Sequence, residues 1–252
     1  MKWTRFVGGV LVLWGLGALP AQSNWPMEPM QPDLEDLPSL QRGAALYMNY
    51  CLGCHSLQYQ RYERTANDLG IPHAVFLENL IFTGQKIGGL METSMPGEKS
   101  KAWFGAPPPD LTLVERVRGA TWLYNYLKTF YIDETRPFGV NNKIFPNVGM
   151  PHVLMDLQGV QREVPDGFEP RNLLTGHIDY VPRSRLAVDE ATGTYDEQAY
   201  DQAVYDLVNF LYYVGEPTRL ERYRIGVYVL LFLVILFVFA YLLNREYWKD
   251  VH

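Results

Sequence analysis

Residues 51–55 read Cys51-Leu52-Gly53-Cys54-His55, and this stretch holds both cysteines of the 252-residue chain. The pattern C-x-x-C-H is typical of the attachment site of a c-type haem. Two thiols three residues apart can reach the two vinyl groups of one porphyrin edge, and the adjacent imidazole can then coordinate the iron. The sequence therefore predicts Cys51 and Cys54 as the covalent attachment points of one haem c, and His55 as an axial ligand of its iron.

A thioredoxin-like dithiol also uses C-x-x-C, but there the motif begins a helix that follows a strand. Here the motif follows a helical repeat of Leu40, Ala44, Tyr47 and Cys51. Gly43 in the same helix leaves room for a second helix to cross closely. A haem-free dithiol oxidoreductase is therefore the weaker interpretation of this motif.

An electron-transfer haem needs a second protein ligand on the other face of the iron, and methionine and histidine are the usual choices. Two methionines begin a Met-Pro pair, Met95 and Met150. The residue pattern alone does not choose among the candidates, which are Met91, Met95, Met150, Met155, His73, His152 and His177. An open sixth position would instead indicate a haem enzyme or a gas sensor.

The first 23 residues have the layout of a secretory signal peptide. Lys2 and Arg5 precede an apolar run of about 13 residues, and small residues follow at Ala21 and Ser23. The run is short for a membrane span, so we expect cleavage near Ala21 or Ser23, with an uncleaved N-terminal anchor as the alternative. Either way the chain is predicted to be exported.

The segment 225–243 contains neither a charged residue nor a proline and is long enough to cross the hydrocarbon core as a helix. Tyrosines near both ends fit interfacial aromatic belts. We predict a single transmembrane helix here. Because the signal peptide places the preceding residues on the exported side, the tail at 244–252 is expected in the cytoplasm and the main domain in the periplasm of a bacterial inner membrane.

The chain carries a formal net charge of −6, with 22 basic and 28 acidic residues. This balance argues against a nucleic-acid partner, which would require a basic face. An acidic exported domain should instead attract a positively charged partner in a salt-dependent way. The acidic clusters at 33–36 (Asp33, Glu35, Asp36) and at 189–197 (Asp189, Glu190, Asp196, Glu197) are candidate docking sites.

Hydrophobic periodicity and turn residues predict the remaining elements. They are an extended arm over 24–38, a helix from about Ser39 to the haem motif, a helix over 72–83, a loop over 84–97, an extended Pro107-Pro108-Pro109 segment, a helical repeat from Leu111, a helix over 121–131, a hairpin within 158–188, and a long helix that follows a capping box at Thr194–Glu197 and ends at Gly215.

Four segments in this order resemble the cytochrome c1 family, the haem c subunits of bacterial cytochrome bc1 complexes. They are CLGCHSLQYQRYERTANDLGI, WFGAPPPDLTLVERVRGATWLYNYLKTFY, NVGMPHVL and DLVNFLYYVGEP, and a single C-terminal span follows them. The resemblance covers the chain from about Arg42 onward. It implies a mainly α fold, with a class I cytochrome c-like haem domain with insertions at 39–216 and one C-terminal transmembrane helix.

The resemblance also assigns residues. The axial methionine of the family begins a motif that resembles Met150-Pro151, and this implies Met150 as the second iron ligand. A family arginine near a haem propionate matches Arg118, and a guanidinium paired with a carboxylate is physically sensible.

The function implied is electron transfer. The domain would accept one electron from the Rieske iron–sulfur protein and pass it to a soluble cytochrome c, while cytochrome b handles quinol and the whole complex forms a dimer. The chain alone would catalyse no bond-making step, because quinol oxidation belongs to the complex. The alternative is a freestanding membrane-anchored cytochrome c that feeds a terminal oxidase.

Overall fold

The computed structural model describes residues 25–172 and 178–250, so the predicted signal peptide at 1–23 lies outside the described residues. Helices predominate, as the sequence predicts, and the described strands form three antiparallel pairs. The helices are α1 Leu37–Leu46, α2 Tyr62–Asp68, α3 His73–Leu80, α4 Gly97–Phe104, α5 Val114–Arg118, α6 Ala120–Lys128, α7 Met155–Gln158, α8 Glu197–Gly215 and α9 Arg219–Tyr247. The strand pairs are β1 Leu57–Arg61 with β2 Leu90–Met91, β3 Phe130–Ile132 with β4 Val140–Asn142, and β5 Val160–Asn172 with β6 Ile178–Asp189.

Helices α1 and α8 cross with their backbones in direct contact. A Cβ atom added to Gly43 would lie 2.0 Å from the backbone oxygen of Asp206 and 2.7 Å from Cβ of Phe210. Real Cβ atoms do not approach other atoms so closely, so only glycine permits this crossing. The predicted close crossing at Gly43 is confirmed.

The same crossing contains a buried carboxylate. The side chain of Asp206 is 2% exposed and accepts hydrogen bonds from Arg42 Nε at 2.6 Å and Arg42 Nη2 at 3.0 Å. The hydrogen bond to Asp206 raises the pKa of Arg42. A buried polar or charged group is tolerated when it is paired and hydrogen-bonded, so the bidentate Arg42 compensates the burial of Asp206 beside the glycine.

The core lies between α1, α6 and α8. It is mainly apolar and its largest members are fully buried, and the buried polar residues beside it include Asp206, Asn125 and Asn209. The rings of Tyr47 and Phe210 lie 5.8 Å apart between α1 and α8. The Tyr47 hydroxyl donates to the backbone oxygen of His55 at 2.6 Å, so the core also contacts the end of the haem motif.

Two buried asparagines hold the N-terminal arm against the helices. Asn125 accepts from the backbone N–H of Glu28 at 2.9 Å and donates to its carbonyl at 2.7 Å. Asn209 makes the same pair of bonds with Asp33, at 3.0 Å and 2.7 Å. The backbone of the arm is therefore hydrogen-bonded to side chains of α6 and α8, although the arm belongs to no sheet.

Three of the predicted elements need correction. The helix predicted over 121–131 ends at Lys128, because Phe130–Ile132 pairs with Val140–Asn142 as a strand. The helix predicted over 72–83 ends at Leu80, and the loop predicted over 84–97 contains the strand Leu90–Met91. Strand pairing at the first site is a long-range constraint that overrides local helical periodicity. The predicted hairpin within 158–188 is confirmed as β5 and β6.

The predicted capping box at Thr194 is wrong. Asp196 caps α8, and its carboxylate accepts from the backbone N–H of Ala199 at 2.7 Å. The Thr194 hydroxyl instead donates to the carbonyl of Asp156 at 3.0 Å, which attaches this turn to α7. Both residues are favourable helix caps, and the tertiary contact decides between them.

An ionic cluster joins the haem domain to α9. Glu216 accepts from Arg116 of α5 at 3.0 Å, from Arg219 at 3.2 Å and from Arg222 at 3.0 Å. The hydrogen bond from Arg222 is the main reason that the pKa of Glu216 falls to about 2. The first turn of α9 is therefore fixed to the domain by charge as well as by chain connection.

Helix α9 has 29 residues, and among the described residues it is the one helix long and apolar enough to cross a membrane. At 1.5 Å per residue it is roughly 43 Å long. None of its apolar span is buried by the residues that the structure describes. The predicted span at 225–243 lies within it, and an uncovered apolar helix of this length is compatible with a membrane anchor.

Replacing Gly43 with alanine is predicted to lower the free energy of unfolding by about 2 kcal/mol, because the new methyl group overlaps the backbone of α8. Thermal unfolding followed by circular dichroism measures this. Gly97→Ala is the matched control, since a Cβ there meets no atom within 4 Å. Equal unfolding midpoints for the two variants would contradict the proposed close crossing.

Candidate haem-binding site

The cysteine motif begins where α1 widens into a π-helical turn, Tyr47–Cys51. The backbone N–H of Leu52 donates to Tyr47 at 3.0 Å, and those of Cys54 and His55 both donate to Cys51. Cys51 is buried, Cys54 is half-buried, and both are free thiols. These hydrogen bonds close a tight turn at Cys51, so the residues of the motif lie close together.

Burial raises the pKa of both thiols, that of Cys51 to about 12. A redox-active dithiol needs a thiolate, which requires a lowered pKa and a positive environment. The surroundings of these cysteines have the opposite effect. This geometry disfavours the dithiol interpretation and suits thiols that are converted to thioethers.

The His55 ring is oriented by a hydrogen bond of 2.7 Å between its Nδ1 atom and the carbonyl oxygen of Pro109. A carbonyl accepts only, so Nδ1 carries the proton and Nε2 has a free lone pair. Burial lowers the pKa of His55, although this hydrogen bond opposes the shift. A neutral imidazole fixed through its other nitrogen is the usual form of a metal-ligating histidine.

Two loops support the haem motif. In the predicted Pro-rich segment, Leu111 donates its backbone N–H to Ser56 at 2.9 Å, and Asp110 accepts from the backbone N–H of Gln58 at 2.8 Å. In the loop before α4, Thr93 donates its hydroxyl to Gly53 at 2.8 Å. Hydrogen bonds from two separate segments therefore support the motif.

Met150 lies in the loop between β4 and α7. It is half-buried, packs against the small cluster of Phe130, Val140 and Val148, and its Sδ atom accepts from the Tyr126 hydroxyl at 3.3 Å. The other lone pair of the thioether is free to bind a metal. This position combines partial burial with a polar partner that orients the sulfur.

The other candidate methionines lie in different surroundings. Met91 is fully buried in β2 opposite Leu57. Met155 begins α7 and packs on the Phe130 cluster. Met95 is half-buried, and its backbone N–H donates to Thr93 at 3.2 Å. Met91 therefore belongs to the core. The hydrogen bond to Thr93, which also contacts Gly53, keeps Met95 near the cysteine motif.

The candidate histidines in the described chain already have partners. His73 contacts Asn67 Oδ1 through Nε2 at 2.8 Å. His152 is buried, contacts Gln158 Oε1 through Nε2 at 2.7 Å and stacks on Phe130, with ring centroids 4.9 Å apart. Burial is the main reason that the pKa of His152 falls to about 4. His177 lies outside the described residues.

Arg118 ends α5 with its side chain exposed, and its guanidinium carbon lies 4.9 Å from the centroid of Trp122 and 5.8 Å from that of Phe145. No ion pair to Arg118 occurs within 25–172 and 178–250. Trp122 stacks on Tyr126, with centroids 4.9 Å apart. Arg118, Trp122 and Tyr126 therefore form a continuous row that ends at the Met150 sulfur.

A family model described as the Cytochrome C1 family matches residues 90–251. The chain is 54% identical to the cytochrome c1 of Allochromatium vinosum over 226 residues, which covers 90% of each protein. The chain belongs to the cytochrome c1 family.

Two further relatives show how widely this sequence type is distributed. The ammonia monooxygenase gamma subunit of Nitrosomonas europaea is 43% identical over 87% of this chain and 86% of its own length. The cytochrome c1 of Rhodobacter capsulatus is 24% identical over 93% and 92%.

Family membership establishes the cofactor as one covalently attached haem c. The residues of this chain fit that group. Two free thiols lie in one turn, an imidazole beside them is fixed with Nε2 available, and a thioether is oriented in a separate loop. Thiol, imidazole and thioether are the donor set that a c-type haem with two axial ligands requires.

Sequence analysis missed three residues of this arrangement. Pro109 orients His55 through its carbonyl, Thr93 supports the motif, and Tyr126 contacts the Met150 sulfur. The extended Pro107-Pro108-Pro109 segment was predicted, but not the contact of its last carbonyl with His55. The polar contacts of these three residues join residues 54, 40 and 24 positions apart, and no local pattern in the sequence signals them.

Proposed function

We propose that this chain is the membrane-anchored electron-transfer subunit of a cytochrome bc1 complex. It accepts one electron from the Rieske iron–sulfur protein and passes it to a soluble cytochrome c, while cytochrome b and the Rieske subunit share its complex. The observation that carries the proposal is the joint presence of a fixed His55 and an oriented Met150 in a member of the cytochrome c1 family.

Each site residue has a specific task in this proposal. Cys51 and Cys54 hold haem c by thioether bonds, His55 Nε2 and Met150 Sδ serve as the two axial ligands, and Arg118 pairs with a propionate. Haem c supplies a one-electron couple when it is bound. The Pro109 carbonyl keeps the imidazole in one tautomer and one orientation, and the Tyr126 hydroxyl orients the thioether.

The arrangement favours electron transfer over an enzyme or gas sensor. Those functions need an open sixth position, whereas Met150 offers a sulfur that is already oriented. The freestanding cytochrome is also less favoured, because the relatives with high coverage include several named cytochrome c1. The chain itself catalyses no bond-making step, so quinol oxidation belongs to the complex as a whole.

The anchor supports the same role. We propose that α9 crosses a bacterial inner membrane once, with the haem domain in the periplasm and the tail in the cytoplasm. The Glu216 cluster ties the first turn of α9 to α5, whose last residue is Arg118. These contacts hold the Arg118 end of α5 near the start of α9, and a haem paired with Arg118 would then lie at a fixed height above the bilayer, which suits transfer between partners within a dimeric complex.

The acidic surface suits a basic carrier. Glu35 and Glu197 are exposed members of the two predicted clusters. Asp36 and Asp196 have local tasks, because each caps a helix. We propose that the exposed carboxylates attract a basic soluble cytochrome c and raise its association rate.

Met150→Leu tests the axial ligand. In the detergent-solubilised protein, the native reduced-minus-oxidised spectrum should show a sharp low-spin α band, and the variant should lose it or bind carbon monoxide. Leucine matches methionine in volume but has no sulfur, so the fold should survive. Met95→Leu is the control and should retain the native spectrum. A native spectrum from Met150→Leu would refute this ligand.

Purification and kinetics test the function. The tagged chain should copurify with cytochrome b and a Rieske subunit, and added quinol should reduce its haem. Oxidation by a basic cytochrome c should slow as salt rises. Either Glu35→Gln or Glu197→Gln should slow it at low salt, whereas Glu246→Gln in the tail should not. Purification without cytochrome b would support the freestanding cytochrome instead.

A further inference from the structure

The segment that carries Met150 has no regular secondary structure between the end of β4 at Asn142 and the start of α7 at Met155. It makes no strand ladder that would fix its path. Asn147 within it has a positive φ of 63°, a conformation that is tolerated but not favoured for asparagine. Apart from one backbone bond near its start, from Lys143 to Thr129 at 3.2 Å, side chains hold the first part of this segment.

Asn142 supplies the main contact. Its side chain is 1% exposed, and its Nδ2 atom donates to the carbonyl oxygen of Tyr126 at 2.7 Å. Its Oδ1 atom accepts from the backbone N–H groups of Ile144 and Phe145, both at 2.9 Å. One buried amide therefore joins the helix turn that carries Tyr126 to the first turn of the Met150 segment.

Asn141 extends this contact further along the segment. Its Oδ1 atom accepts from the backbone N–H of Asn142 at 2.9 Å and from that of Asn147 at 2.8 Å, and its Nδ2 atom donates to Asp133 at 2.9 Å. The strained Asn147 is thus held three residues before Met150.

The segment is also attached on the other side of Met150. The ring of His152 stacks on Phe130, and its Nε2 atom contacts Gln158. Gln158 in turn donates to the carbonyl of Lys128 at 3.3 Å. Both ends of the Met150 segment are therefore fixed to the same piece of chain, the end of α6 and the strand after it.

We infer that Asn142 is a positioning residue that keeps the Met150 thioether in place for the iron. The inference rests on the proposed function, since it takes Met150 as the axial ligand. A thioether is an uncharged ligand, so a loose segment would leave the sixth position open for part of the time. Asn142 prevents this because its amide fixes the segment and the Tyr126 carbonyl together, and Tyr126 itself holds the sulfur.

The test compares substitutions of two buried asparagines, Asn142 of β4 and Asn125 of α6, in the purified complex. Asn142→Ala should raise the fraction of reduced haem that binds carbon monoxide at least tenfold over wild type, and should lower the midpoint potential. Asn125→Ala is the matched control. Asn125 is 3% exposed and also makes bonds to backbone groups, but these hold Glu28 of the N-terminal arm rather than the Met150 segment. It should bind no more carbon monoxide than wild type.

A second variant tests the same inference if the Asn142→Ala protein does not fold and cannot be purified. Asn142→Asp keeps the size of the side chain and the acceptor oxygen for Ile144 and Phe145, but loses the donor to Tyr126. Its carbon monoxide-reactive fraction should rise at least threefold. A wild-type value for both Asn142 variants would overturn the inference, and so would an equal rise in Asn125→Ala, since that would indicate general destabilisation.

Met150→Leu in the same preparation separates this inference from the proposed function. If Met150→Leu binds carbon monoxide and the Asn142 variants do not, Met150 remains the ligand and Asn142 has no positioning role. If Met150→Leu keeps a native spectrum, the ligand assignment itself fails and the inference fails with it.

Discussion

The contact between the backbones of α1 and α8 at Gly43 is the constraint on which the rest of this structure depends. Helix α1 leads directly into the turn that carries Cys51, and α8 leads through Glu216 into the apolar helix α9. Because Gly43 has no side chain, the two helices meet at the carbonyl of Asp206, and Arg42 neutralises the carboxylate beside it. This one crossing therefore fixes the haem motif relative to the helix that anchors the chain.

The site is built outward from this crossing in two halves. The first half is the motif with its supporting loops, in which Pro109 and Thr93 hold the turn that bears His55. The second half is the row of Arg118, Trp122 and Tyr126 together with the loop that bears Met150. The short segment from Pro109 to Arg118 connects them. In the proposed function, His55 and Met150 would each offer one ligand to the iron, and each already makes one orienting polar contact.

Much of this arrangement is predictable from sequence because its signals are local. The cysteine motif, the helical repeat ending at Cys51, the glycine at the crossing and the uncharged C-terminal span each lie within a few turns of chain. The contacts that orient the ligands are not local. Tyr126 and Met150 are 24 residues apart, and the amide of Asn142 joins two elements that periodicity treats separately. The capping residue of α8 was also predicted wrongly, because the Thr194 hydroxyl donates to the Asp156 carbonyl instead of capping the helix.

X-ray absorption at the iron K edge of the purified native protein would show whether this single chain provides one imidazole and one thioether to the same haem iron, from two separately fixed segments. We predict that the iron is surrounded by five nitrogen atoms and one sulfur atom in both oxidation states. Six nitrogen atoms would mean that a histidine replaces Met150, and a missing sixth neighbour would mean an open site. Either result would contradict Met150 as a ligand of the iron.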